Sequence, residues 1–200
     1  MKTKMLYLGV GVVLAAALLV GFQYVRRPYI YRGSLIDPPA PAADFDLTDQ
    51  HGQKFRLSDQ RGEIVLLFFG YSNCPDVCPL TMSNFKLIKE ELGDQADKVR
   101  FVFVTVDPER DTQERLSEYV KVFDPEIVAL TGRRAELEPV WKSYGVYQAK
   151  QDTSSGAGYT VDHTARTYLI DQEGNWRLTY PFEMEKEDII SDVRHVLNQG

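Results

Sequence analysis

Ile64-Val65-Leu66-Leu67-Phe68-Phe69-Gly70-Tyr71-Ser72-Asn73-Cys74-Pro75-Asp76-Val77-Cys78-Pro79 runs without interruption from an apolar hexad into the only two cysteines of the chain. Six apolar residues in succession, with no polar alternation, predict a central strand buried on both faces. Downstream, Met82, Phe85, Ile88 and Leu92 recur at helical spacing, so strand, loop and amphipathic helix follow one another. Pro75 disfavours helix at Cys74, while Pro79 suits the first turn of a helix that begins near Cys78. The two sulfurs are therefore expected at a loop-to-helix junction, where the positive end of the helix favours thiolate over thiol.

Around this stretch the pattern alternates. A hairpin is expected from Phe45-Asp46-Leu47 and Lys54 to Leu57, turned by Asp49-Gln50-His51-Gly52. Phe101 to Val106 repeats the both-faces-apolar pattern, and Asp111 with Glu114 reads as an N-cap and capping box for a helix that carries Leu116, Tyr119, Val120 and Phe123. Ile127 to Leu130 is a short strand and Ala135 to Tyr144 a helix containing Pro139. After a Gly/Ser-rich excursion, Thr153 to Gly158, the strand Thr167 to Ile170 turns into Trp176 to Tyr180, and a last helix carries Ile189, Val193, Val196 and Leu197. Buried strands separated by helices argue for an α/β sandwich with a mixed sheet. A cysteine pair at the end of the first buried strand is where a thioredoxin-like fold places its redox site.

The N-terminal part stands apart. Met5 to Val25, 21 residues without a charge, is long enough to cross a bilayer as a helix. A cleaved signal peptide is the competing reading, with Lys2 and Lys4 as its basic end and Ala15-Ala16-Ala17 as small residues; the apolar run continues past those alanines. The expectation is one transmembrane anchor at residues 5–25, a Pro-rich linker at 26–41 and a domain at 42–200. Basic residues on the two sides of the span nearly balance, so they set no orientation. A domain behind a single N-terminal helix is most simply exported, and the N-terminus lacks the pattern of an organelle transit peptide. A bacterial inner membrane with the domain in the periplasm is therefore expected.

Charge excludes one class of partner. Residues 1–32 hold five of the 23 basic residues and no acid, which leaves 18 basic against 29 acidic groups, a net charge of −11. Such a domain is repelled by phosphate backbones, so nucleic acid is not an expected partner.

Helix-like spacing puts the Cα atoms of Cys74 and Cys78 roughly 6 Å apart, compatible with a disulfide and equally with two sulfurs on one metal. A structural disulfide closing so small a loop constrains little chain entropy. Thiol redox chemistry is open as well, although three residues separate the cysteines where thioredoxin motifs have two. A metal needs a further ligand, and the histidines are His51, His163 and His195. His51 lies in a Gly-containing turn and His195 on a polar helix stretch, both surface positions. His163, in Val161-Asp162-His163-Thr164, precedes the strand Thr167 to Ile170 and on residue type alone is an ordinary loop histidine.

Three segments resemble the Sco/SenC family of copper proteins: Gly70 to Pro79, Val106-Asp107-Pro108-Glu109-Arg110-Asp111-Thr112, and Asp162-His163-Thr164 with Tyr168-Leu169-Ile170-Asp171 after it. The resemblance covers the chain from about residue 42 to its end. It implies a thioredoxin-like fold in which Cys74, Cys78 and His163 are copper ligands, and soft thiolates with an imidazole suit Cu(I), the imidazole also Cu(II). It implies a metallochaperone that assists the CuA centre of cytochrome c oxidase subunit II, with another periplasmic copper carrier or a thiol reductant as a further partner. The alternative is a thiol-disulfide oxidoreductase that uses Cys74 and Cys78 on the oxidase cysteines, and zinc is a third option for the same donors. Asp107 and Asp111 are carried over as a site-flanking or partner-docking pair. Ala165 falls where thioredoxin-like oxidoreductases place a proline, two residues after His163, as in a site altered from gripping peptide to supplying a ligand.

Overall fold

The computed structural model describes residues 28–152 and 158–199. The expected membrane span at residues 5–25 lies outside them, and no described helix is long and apolar enough to cross a membrane. Residues 31–199 fall in one compact unit. Its strands are β1 (Ser34–Pro41), β2 (Asp46–Asp49), β3 (Lys54–Arg56), β4 (Ile64–Gly70), β5 (Val99–Thr105), β6 (Val128–Thr131), β7 (Gln148–Asp152), β8 (Tyr159–His163), β9 (Arg166–Ile170) and β10 (Asn175–Pro181). The helices are α1 (Val77–Leu92), α2 (Gln113–Lys121), α3 (Arg134–Ser143) and α4 (Lys186–Leu197).

Eight strands form one mixed sheet in the order β1-β10-β9-β4-β5-β6-β2-β3. β4 is parallel to β5, and β5 to β6; β9 runs antiparallel to β4. Every residue of β4 is buried, as a doubly covered central strand requires. Successive side chains point to opposite faces, and the ring contacts show which helices cover each. Phe101 meets Phe85 of α1 and Phe103 meets Tyr119 of α2 on one face. On the other, Phe69 meets Tyr144, which ends α3, and Tyr168 of β9. Pro139 sits inside α3 without breaking it.

Two expectations require correction. Residues 34–41, expected to be linker, are strand β1, paired antiparallel with β10. β1 is an edge strand whose register shifts between Leu35 and Ala40, so Pro38 and Pro39 fall in the irregular stretch, where no ladder N–H is demanded. The chain ahead of β1 is held too: the buried Asp192 of α4 accepts hydrogen bonds from the backbone N–H groups of Arg32 (3.1 Å) and Gly33 (2.9 Å). Secondly, α2 is capped by Thr112, whose hydroxyl accepts from the Arg115 N–H at 3.2 Å. Asp111 is fully buried instead.

The topology brings the three motifs to one place. Gly70 at the end of β4 is level with Thr105 of β5, and the Val106 N–H donates to the Gly70 carbonyl at 2.8 Å. Phe68 pairs with Thr167, so the segment before β9 also lies at this end of β4. His163 closes β8, which pairs only with β7 in a separate two-stranded sheet.

Replacing Asp192 by Ala should remove the clamp on Arg32 and Gly33, at a cost of about 1–3 kcal/mol in denaturant unfolding. Amide exchange at those two positions should rise far more than in β4.

Candidate metal centre

The site grows out of the β4–α1 connection. Beyond Gly70, Tyr71 is buried and the Cys74 N–H donates to the Tyr71 carbonyl at 3.2 Å, which turns the chain back before α1. α1 begins at Val77, so Cys78 and Pro79 occupy its first turn, and the proline removes an N–H that has no helical partner there. The Cys78 N–H points at the Cys74 sulfur, 3.5 Å away. Cys78 is fully buried and Cys74 half-exposed; neither is in a disulfide.

His163 reaches the pair from β8. Its Nε2 lies 3.4 Å from Cys78 Sγ, and its Nδ1 lies 3.3 Å from the Thr164 carbonyl. The imidazole packs edge-on against Phe68 and Tyr71, with centroids 6.0 and 5.7 Å away. The donor atoms of Cys74, Cys78 and His163 all lie within 4.8 Å of one another, and among the described residues this is the one such group that could hold a metal ion. His51 and His195 take no part in it.

The two sulfurs share their protons unequally. A hydrogen bond from Cys78, with help from His163, the backbone N–H groups of Asp76 and Cys78, and against the cost of partial burial, pulls the Cys74 thiol down to about 3. Burial, then the neighbouring Cys74 sulfur, pushes Cys78 well above the ordinary thiol range. Near neutral pH the metal-free pair is thus a half-exposed thiolate beside a buried thiol, one coupled system.

Gly70 makes room for this arrangement. A Cβ there would lie 2.8 Å from Cys78 Sγ, 2.8 Å from the Phe68 ring and 2.9 Å from the Phe103 ring. The requirement is for space, since Gly70 is not among the positive-φ glycines.

The carboxyls carried over from the second motif turn inward. Asp111 accepts from the Ser72 N–H (3.1 Å), the Ser72 hydroxyl (2.6 Å) and the Thr105 hydroxyl (2.6 Å), so it ties the cysteine loop to β5. Burial raises its pKa against these bonds. Asp107 accepts from the Tyr159 hydroxyl at 2.7 Å and pairs with the Arg110 guanidinium. Both are fully buried, so neither offers an oxygen to a docking partner. In the sequence Tyr71 and Arg110 stand out only by position, near the cysteines and near Asp107, and Tyr159, four residues before His163, carries no signal of its own.

A mixed sheet whose β4–α1 junction carries two free cysteines facing a histidine defines a thioredoxin-like domain with a thiolate–imidazole metal pocket. Residues 35–198 match the SCO1/SenC family model. The chain is 31% identical over 187 residues to an SCO2-like protein of Rickettsia prowazekii, covering 92% of this chain and 90% of that one. To the human mitochondrial SCO1 homologue it is 31% identical over 193 residues, 93% of this chain and 64% of the human protein. Among solved structures it is similar to copper-bound ScoI of Bradyrhizobium japonicum, with a TM-score of 0.72 and 39% identity over 79% of this chain and 100% of that one. Apo Sco1 of Thermus thermophilus gives a TM-score of 0.75 and 34% identity over 84% and 98%. The chain belongs to the SCO1/SenC family.

Because the Cys74 thiol titrates at about 3, its thiolate persists at all pH values well above that. Its alkylation rate by iodoacetamide should be flat between about pH 5 and 8, where an ordinary thiol of pKa near 8.5 gains several hundred-fold; Cys78 should stay unmodified, as peptide mapping would show. Gly70→Ala should cost about 1–3 kcal/mol in denaturant unfolding, the usual penalty for overpacking.

Proposed function

We propose that this protein is a copper metallochaperone in which Cys74, Cys78 and His163 hold the copper cargo, and that it assists maturation of the CuA centre of cytochrome c oxidase subunit II. One observation carries the proposal: two free sulfurs and an imidazole nitrogen lie within 4.8 Å of one another, in a chain whose relatives include a copper-bound ScoI. Two thiolates select soft Cu(I), and an imidazole also serves Cu(II). Three protein donors leave room for a ligand from an acceptor, which suits transfer. Phe68 and Tyr71 pack edge-on against the imidazole, which lies beside Cys78. Oxidising the pair to a disulfide removes both thiolates, so redox state and metal affinity are linked.

The setting is part of the same proposal. The uncharged stretch Met5 to Val25 anchors the protein in a bacterial inner membrane as a single span, with the domain in the periplasm beside its membrane-bound acceptor. A periplasmic copper carrier or thiol reductant supplies it.

A second reading has its own observation. A half-exposed thiolate of low pKa beside a buried thiol is also the nucleophile of a thiol-disulfide reductase, here one acting on the oxidase cysteines. Against peptide gripping, Thr164, next to Ala165, is already engaged: its main-chain N–H donates to the Tyr147 carbonyl at 3.1 Å, and its side-chain hydroxyl accepts from the Tyr147 N–H at 3.0 Å.

Anaerobic Cu(I) titration against a chromophoric chelator should show one copper per chain, with affinity reduced at least tenfold in His163→Ala and further in Cys74→Ser. Unchanged affinity in both variants overturns the proposal. In a strain lacking the protein, His163→Ala should fail to restore oxidase activity; full restoration by that variant, with none by the double cysteine variant, assigns the reductase reading.

A further inference from the structure

β8 carries His163 but belongs to no part of the main sheet. Its pose against the main sheet is therefore set by the short connection from His163 to β9 and by side chains. Residues alternate across a strand, so Tyr159, Val161 and His163 share one face of β8. Val161 is buried, and its N–H donates to the Tyr71 hydroxyl at 3.1 Å. His163 faces Cys78. Tyr159, at the far end of the same face and about 13 Å along the strand, is gripped by the turn after β5.

That grip centres on Arg110. Its guanidinium carbon lies 3.7 Å from the centroid of the Tyr159 ring, and Nη1 donates to the Tyr159 carbonyl at 2.8 Å. Nε is paired with the buried Asp107, which also accepts from the Tyr159 hydroxyl. One residue thus holds ring and main chain of Tyr159, while Asp107 holds its hydroxyl. The guanidinium also lies 5.6 Å from the centroid of Tyr71, whose ring flanks His163. The neighbouring Glu109 lies 3.8 Å from Lys150 of β7, and Lys150 is 4.5 Å from the Tyr159 ring.

We infer that Arg110 is a positioning residue: with Asp107 and Tyr159 it fixes β8 so that His163 is presented to Cys78, without touching the metal donors itself. The inference rests on the ligand set proposed above and adds a residue to which no ligand role attaches. A lysine in its place keeps the charge but loses the planar fork that reaches ring, carbonyl and carboxylate together.

The test is a double-mutant cycle on the full-length protein, read as the Cu(I) dissociation constant, with denaturant midpoints recorded for every variant. Arg110→Ala should weaken copper binding about tenfold, as loss of an outer partner of a metal ligand does. In a His163→Ala background it should change the constant less than about twofold, because its effect passes through that histidine. Amide exchange at residues 159–163 of the metal-free protein should rise in Arg110→Ala and rise less in Arg110→Lys. Parent-like affinity in Arg110→Ala, or losses that multiply in the double variant, overturns the inference while His163 remains a ligand. Parent-like affinity in His163→Ala alone overturns the ligand set instead, and exchange at 159–163 then decides whether Arg110 fixes the strand. Should Arg110→Ala not fold, Tyr159→Phe, which loses only the bond to Asp107, takes its place in the cycle with the same non-additivity expected.

Discussion

A buried carboxyl at Asp111 holds the metal loop to the sheet. It lies in the interior with three donors directed at it, two from Ser72 in the cysteine loop and one from Thr105 at the end of β5. A buried acceptor is costly unless its lone pairs are used, so the Ser72 and Thr105 donors are constrained as firmly as the acid. Arg115 of α2 adds a bond to the Ser72 hydroxyl at 3.1 Å, and the Thr131 hydroxyl of β6 donates to the Asp111 carbonyl at 2.9 Å. Through one side chain and its backbone, β5, β6, α2 and the loop bearing Cys74 keep a common geometry.

The segment Val106 to Thr112 therefore divides its work residue by residue. Asp107 and Arg110 face the β7–β8 hairpin, Glu109 bridges Arg134 of α3 and Lys150 of β7, Asp111 faces the cysteine loop, and Thr112 caps α2. This one segment contacts both the loop that bears the cysteines and the hairpin that bears the histidine. This explains why a run of charged residues, which composition alone would assign to a solvated turn, carries two fully buried carboxyls.

Much of this could be read from the chain because it rests on local physics. The apolar run Ile64 to Phe69 specifies a doubly covered strand, and the prolines on either side of Asp76 define where α1 starts. What escaped lacked a local signal. β1 contains prolines that an edge bulge absorbs, and β7 is Gln148-Ala149-Lys150-Gln151-Asp152, with almost no apolar residue to mark it. Asp111 and Thr112 are both good caps, and tertiary burial rather than propensity decides between them. By residue type His163 is ordinary, and only the resemblance marks it as a candidate ligand; in the fold it lies 3.4 Å from Cys78. Arg110 stands within the second motif, but its role cannot be read there because it depends on a strand 49 residues away in sequence.

The bonding of Thr164 to Tyr147 has a consequence for the company this protein can keep. Chains that recognise peptides by adding a strand need a free main-chain edge. Here the Thr164 N–H is taken by the protein's own preceding segment at Tyr147, which is present at the effective concentration of a tethered competitor, on the order of millimolar for a short connection. A free peptide must outcompete a rival that never diffuses away. Strand addition at Thr164 is thus disfavoured, and Cys74, the more exposed member of the pair, is the sulfur that lies open to solvent.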